Sequence, residues 1–88
     1  MRVELSQAFE KMAGRPCLEI GLQGPTPMRE VLELLAREYG VFTKYLLYQD
    51  DALLGAHLSV FSSGKFLKLD DPVDDGDTLK LLLPVTGG

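Results

Sequence analysis

At 88 residues, 45% hydrophobic and 25% charged, the chain has the size and composition of one soluble globular domain with a small core. A net charge of −4 argues against a nucleic-acid binder, whose affinity rests on a basic face, and suits a basic docking surface on a protein partner. One cysteine excludes an internal disulfide and a cysteine-built metal cage. Met1-Arg2 leads into alternating residues without a signal-peptide core, and no apolar run approaches the roughly 18 residues of a membrane span, so a cytoplasmic location is expected.

Met1, Val3 and Leu5 alternate with Arg2 and Glu4, the period of a half-buried strand. Residues 10–16 carry Gly14 and Pro16 and read as a connection. Leu18, Ile20 and Leu22 give a second strand, expected to pair with the first. Gly24-Pro25-Thr26-Pro27 announces a helix, with Thr26 as N-cap and Pro27 at the first helical position. Met28, Val31, Leu32, Leu35 and Tyr39 fall on one helical face. The pairs Arg29–Glu33 and Glu33–Arg37 support the opposite face, and Gly40 follows at C′.

Residues 41–56 leave two readings open, since Tyr45-Leu46-Leu47-Tyr48 fits a short helix or a strand; Gln49-Asp50-Asp51 reads as a turn. Leu58 and Val60 alternate in the next strand, Ser62-Ser63-Gly64-Lys65 is a hairpin turn, and residues 66–69 form a short strand. Residues 70–77 are turn-rich, and residues 78–83 are the last strand, ended by Pro84, which has no ladder donor. The order predicts an α+β domain over residues 1–83, a mixed sheet on one main helix, with a flexible tail at 84–88. The expected core is Met1, Val3, Leu5, Leu18, Ile20, Leu22, the helix stripe, Leu58, Val60, Leu67, Leu69, Leu79, Leu81 and Leu83.

The alternation that turns Leu79, Leu81 and Leu83 toward the helix turns Thr78, Lys80 and Leu82 away. Phe61 and Phe66 fall on the same outer face, so Leu82, Phe61 and Phe66 are expected to form a docking patch.

The sequence ends Pro84-Val85-Thr86-Gly87-Gly88. A terminal carboxylate with a pKa of about 3.3–3.7 is ionised and a poor electrophile, so it becomes an acyl donor only after activation in another protein's site. Glycine lacks a Cβ, which lets a Gly-Gly end enter a narrow channel. Residues 84–88 reach roughly 17 Å when extended. Other candidates are weaker. Cys17 starts an apolar strand with no histidine near it in sequence, and reads as a small hydrophobe. His57 is the only histidine and reads as an ordinary sheet residue. Asp70, Asp71, Asp74, Asp75 and Asp77 fail the EF-hand spacing and read as turn residues, so no metal site is expected.

The strand-helix order, the Asp75-Gly76-Asp77 turn and the ending Leu83-Pro84-Val85-Thr86-Gly87-Gly88 resemble the sulfur-carrier proteins of the ubiquitin-like superfamily, a β-grasp fold. The likeness is greatest to the small subunit of molybdopterin synthase, with the thiamine-pathway sulfur carrier a close relative. It implies that an ATP-dependent, ubiquitin-activating-like adenylyltransferase adenylates the Gly88 carboxylate and that a sulfur donor displaces AMP to leave a thiocarboxylate. The large synthase subunit, or another sulfur acceptor, would then receive the tail. Gly88 would be the covalent carrier, Gly87 the residue that lets the tail pass, and Pro84, Val85 and Thr86 the channel contacts. The chain itself would be a non-catalytic subunit with no bound cofactor, ATP being used by the partner. The hairpin turn departs from the Asn-Gly of many members. A protein modifier that forms isopeptide bonds, and an interaction domain with an idle tail, are the other readings.

Overall fold

The computed structural model describes residues 1–83; the tail residues 84–88 lie outside the described residues. In chain order the elements are β1 (Arg2–Leu5), α1 (Gln7–Ala13), β2 (Cys17–Glu19), β3 (Thr26–Pro27), α2 (Met28–Glu38), a 3₁₀ helix (Gly40–Leu47), α3 (Asp51–Gly55), β4 (Ser59–Ser62), β5 (Lys65–Phe66), β6 (Pro72–Val73) and β7 (Thr78–Leu82). Five strands form a mixed sheet in the order β2-β1-β7-β4-β5, and β3 pairs with β6 in a small second sheet. β1 is antiparallel to β2 and parallel to β7, and β4 is antiparallel to both β7 and β5. The predicted α+β architecture and the pairing of the first two strands hold.

The period-2 strands and the helix stripe meet in one core. Val3, Leu18, Val60, Leu79 and Leu81 are buried from the sheet, and Met28, Val31, Leu32 and Leu35 from α2. Each side chain of this size contributes about 1.5–3 kcal/mol when fully removed from water. Leu5, Ile20, Leu22, Tyr39 and Leu67, expected in the core, are only partly buried and pack at its margin. Leu83 is a correction: β7 ends at Leu82, and Leu83 is 49% exposed.

Residues 10–16 are not a simple connection, because α1 occupies Gln7–Ala13 and buries Phe9 completely. The helix stops at Gly14, whose φ of 78° is the left-handed conformation that glycine adopts without penalty. Phe9 stacks on Phe42 at 6.1 Å and meets Tyr45 at 5.8 Å between ring centroids. The open choice over Tyr45–Tyr48 resolves as helix: a three-residue 3₁₀ period sets Phe42 and Tyr45 on one side, against Phe9.

The start of α2 also differs from expectation. Thr26 and Pro27 belong to β3, paired with Val73 and Pro72, and no side chain caps the helix. Instead the Met28 and Arg29 amides donate to the carbonyls of Asp71 and Leu69, both at 2.9 Å. Backbone from the 69–71 turn therefore satisfies donors that a capping side chain would otherwise take. Gly40 follows the helix but opens the 3₁₀ segment, and Tyr39 ends α2 in an extended conformation. β5 covers Lys65–Phe66 rather than residues 66–69.

The aspartates act as turn residues. Asp71 accepts from the Lys68 amide at 2.8 Å, Asp77 from Asp74 at 2.9 Å and Asp50 from Leu53 at 2.8 Å. Asp51 accepts from Leu69 at 2.8 Å, and Asp70 pairs with Arg29 at 2.8 Å. Asp75 accepts from the Leu22 amide at 2.8 Å and from the Met1 ammonium at 3.3 Å. The Leu22 amide first, and then the ammonium, hold the Asp75 carboxyl below its ordinary pKa. A lowered native pKa means that the carboxylate's contribution is complete above its unfolded pKa and is lost as pH falls through the native one. In paired thermal melts, the gap between the wild type and Asp75→Asn is therefore expected to be constant above about pH 5 and to narrow below about pH 4. A gap that widens in acid would contradict this assignment.

Candidate functional site

The register of the sheet builds the candidate site. Leu79 and Leu81 are fully buried toward α2, so Lys80 and Leu82 face the opposite way. Phe61 lies between Lys80 of β7 and Phe66 of β5, and Leu82 lies opposite Ser59. The Phe61 and Phe66 rings meet edge to face at 5.3 Å. Phe66 is 63% exposed, a large apolar side chain left in water, while Phe61 and Leu82 are half-buried. The structure thus brings Phe61 and Phe66 into contact and sets Leu82 on the same face, one step along the ladder.

The hairpin that carries Phe66 turns through Ser63 and Gly64, with φ of 50° and 83°. Positive φ at both central residues is the geometry that Asn-Gly usually supplies in a two-residue turn, so Ser-Gly does the same work here. Leu82 is the last residue of β7, the middle strand of the five, so the chain leaves the sheet at its centre and beside the apolar patch. Pro84, Val85, Thr86, Gly87 and Gly88 lie outside the described residues.

Lys80 is the site residue that the sequence reading passed over. It is exposed and stands between Glu4 of β1 and Phe61 of β4. The signal was present in the strand alternation, which turns it outward together with Leu82. Cys17 is half-buried opposite Glu4 on the edge strand. His57 is a correction: it follows α3 rather than lying in a strand, and its ring stacks on Tyr48 at 4.2 Å. Among the described residues no cluster of His, Cys, Asp or Glu could hold a metal ion, and no helix is long and apolar enough to cross a membrane.

A five-stranded mixed sheet with parallel first and last strands, packed on one main helix, defines a ubiquitin-like β-grasp domain. No family model and no curated protein matches the sequence. Solved structures do match it. SAMP1 from Haloferax volcanii has a TM-score of 0.77 and 25% identity, covering 100% of this chain and 98% of its own. A protein assigned as molybdopterin converting factor subunit 1, from Pyrococcus furiosus, has a TM-score of 0.75 at 22% identity, covering 96% and 95%. A chain of the Amycolatopsis orientalis BexX/CysO complex has 0.74 at 19%, covering 99% and 98%. The resemblance read from the sequence holds in three dimensions: these neighbours are ubiquitin-like sulfur carriers. They support a sulfur-carrier or ubiquitin-like role for this chain.

Proposed function

We propose that the chain is a sulfur carrier whose working group is the Gly88 carboxylate, and that it donates sulfur in molybdopterin synthesis. The observation that carries this reading is the exit of β7 from the sheet centre, beside an apolar face, into a sequence that reads Pro-Val-Thr-Gly-Gly. The face docks a partner, and the thin tail reaches that partner's site.

The chemistry balances without any acid, base or metal from this chain. The Gly88 carboxylate oxygen attacks the α-phosphorus of ATP in an adenylyltransferase, forming the acyl-adenylate and releasing pyrophosphate. A sulfide-level donor then adds to the acyl carbon, AMP leaves, and the carboxylate has exchanged one oxygen for sulfur. ATP belongs to the partner's site. A large synthase subunit receives the tail and passes the sulfur to its pterin substrate; a thiamine-pathway acceptor would use the same carrier chemistry.

The likeness to SAMP1, of which another solved structure is described as a small archaeal modifier protein, favours a second reading. In it, a lysine amine takes the acyl group to give an isopeptide bond. The test is the intact mass of the chain after incubation with the adenylyltransferase of its own genome, ATP and a sulfide donor, with fragmentation. Replacement of one oxygen by sulfur, confined to Gly88, is the expected result. A shift that instead appears as a covalent adduct on lysines of other proteins would favour the modifier.

Docking through the outer face makes a separate prediction. Leu82→Asp places a charge in the patch while Leu79 and Leu81 keep the core. Affinity for the adenylyltransferase is expected to fall by about tenfold or more, as for a charge introduced into a desolvated contact, with the melting temperature little changed. Unfolding of the variant would instead assign Leu82 to the core.

A further inference from the structure

The net charge of −4 suggests a basic partner, but the charges around the outer-face patch point the other way. Of the acidic residues of the 70–77 turns, Asp71 and Asp77 accept within their own turns, Asp70 pairs with Arg29, and Asp75 is held by Leu22 and Met1. On the outer face the register leaves two carboxylates: Glu19 opposite Arg2, and Glu4 opposite Lys80 and two residues along β1 from Arg2. Glu4 lies 3.5 Å from the Arg2 guanidinium. Lys80, at the centre of the sheet and directly beside Phe61, has no carboxylate within ion-pair distance among the described residues. The apolar patch is therefore bordered by Lys80, a cation whose ladder neighbour Glu4 is held by Arg2, in a chain that is acidic overall.

We infer that the surface docking on this face is an apolar socket that presents a carboxylate to Lys80. This rests on the carrier reading and names the chemistry of the partner's contact surface. A lysine beside a cluster of apolar side chains loses water when the cluster is covered. An unmatched ammonium there opposes binding, whereas a facing carboxylate steers association and fixes register. The net charge acts at long range and is screened within about 8 Å at physiological salt, so the contact itself is governed by the local charge.

The experiment is ATP–pyrophosphate exchange catalysed by the adenylyltransferase of the same genome, with the full chain as the varied substrate. Lys80→Glu is expected to raise KM by about tenfold with kcat unchanged, because reversal removes an attraction and adds a repulsion. Lys80→Arg is expected to keep the wild-type KM, and added salt to raise the wild-type KM more than that of Lys80→Gln. Glutamate at 80 would stand opposite Glu4, so a melt accompanies each variant. If Lys80→Glu is unstable, Lys80→Gln decides, with a smaller rise in KM expected. A Lys80→Glu or Lys80→Gln chain that folds and keeps or improves the wild-type KM overturns the inference and leaves the carrier reading standing. Absence of any exchange with the wild-type chain, by an enzyme active on another carrier, removes the carrier reading and this inference with it.

Discussion

Removing Gly87 and Gly88 is expected to abolish adenylation while leaving the melting temperature of the domain where it was. The stability half follows from the fold: among the described residues, 1–83, a continuous core is built, and the last of its buried residues is Leu81. The activity half follows from reach. The truncated chain still ends in a carboxylate, now on Thr86, but that group falls short by two residues, about 7 Å of extended chain. A misplacement of about 1 Å at a reacting centre can cost about a hundredfold, so a deficit of this size amounts to complete loss. Threonine also brings a branched Cβ where glycine had none. ATP–pyrophosphate exchange reads the first property and a thermal melt the second. A truncated chain that still supports exchange, or that replaces the full chain in a cell, would make the tail irrelevant and the carrier reading untenable.

The second large effect is on stability. Phe9→Ala is expected to cost about 3–5 kcal/mol, the usual loss for deleting a fully buried aromatic ring. Phe9 has no exposed surface and holds Phe42 and Tyr45 by ring contacts at 6.1 and 5.8 Å. Domains of this kind are stable by about 5–15 kcal/mol in total, so the variant should sit near the edge of folding. A urea titration should show a lower midpoint with little change in slope. A loss under about 1 kcal/mol would mean that α1 packs loosely and that Phe9 is not a keystone of the 3₁₀ segment.

That residue also marks where the sequence was hard to read. Strands β1 and β7 and helix α2 were legible because each presents a regular period over enough residues: Val3, Leu79 and Leu81 at two, Met28 to Leu35 at three and four. Helix α1 has seven residues and a single buried position, so it offers no period to detect. Phe42, Tyr45 and Tyr48 do repeat, but at the 3₁₀ interval of three, and their partner Phe9 is distant in sequence. The N-terminus of α2 was misassigned for a related reason. Thr26 has the right chemistry for a cap, yet it pairs with Val73 in a strand, and the carbonyls of Asp71 and Leu69 take the first amides of the helix instead. At the site, Phe61, Phe66 and Leu82 were placed on one face by alternation alone, whereas the meaning of Lys80 required the pairing of β1 with β7. The tail was legible only as chemistry, through its glycines.

The placement of β7 between β1 and β4 bears on how the protein is made. A nascent chain that has emerged up to residue 77 holds β1 and β4 without the strand that joins them, so its sheet is in two pieces and its core is open. The domain cannot close until residues 78–82 leave the ribosome, and those residues immediately precede the segment proposed to carry sulfur. Translation that stops before residue 78 therefore yields an unfolded chain, a substrate for proteolysis, and only a stop within the last few residues could leave a folded domain without the group to be activated.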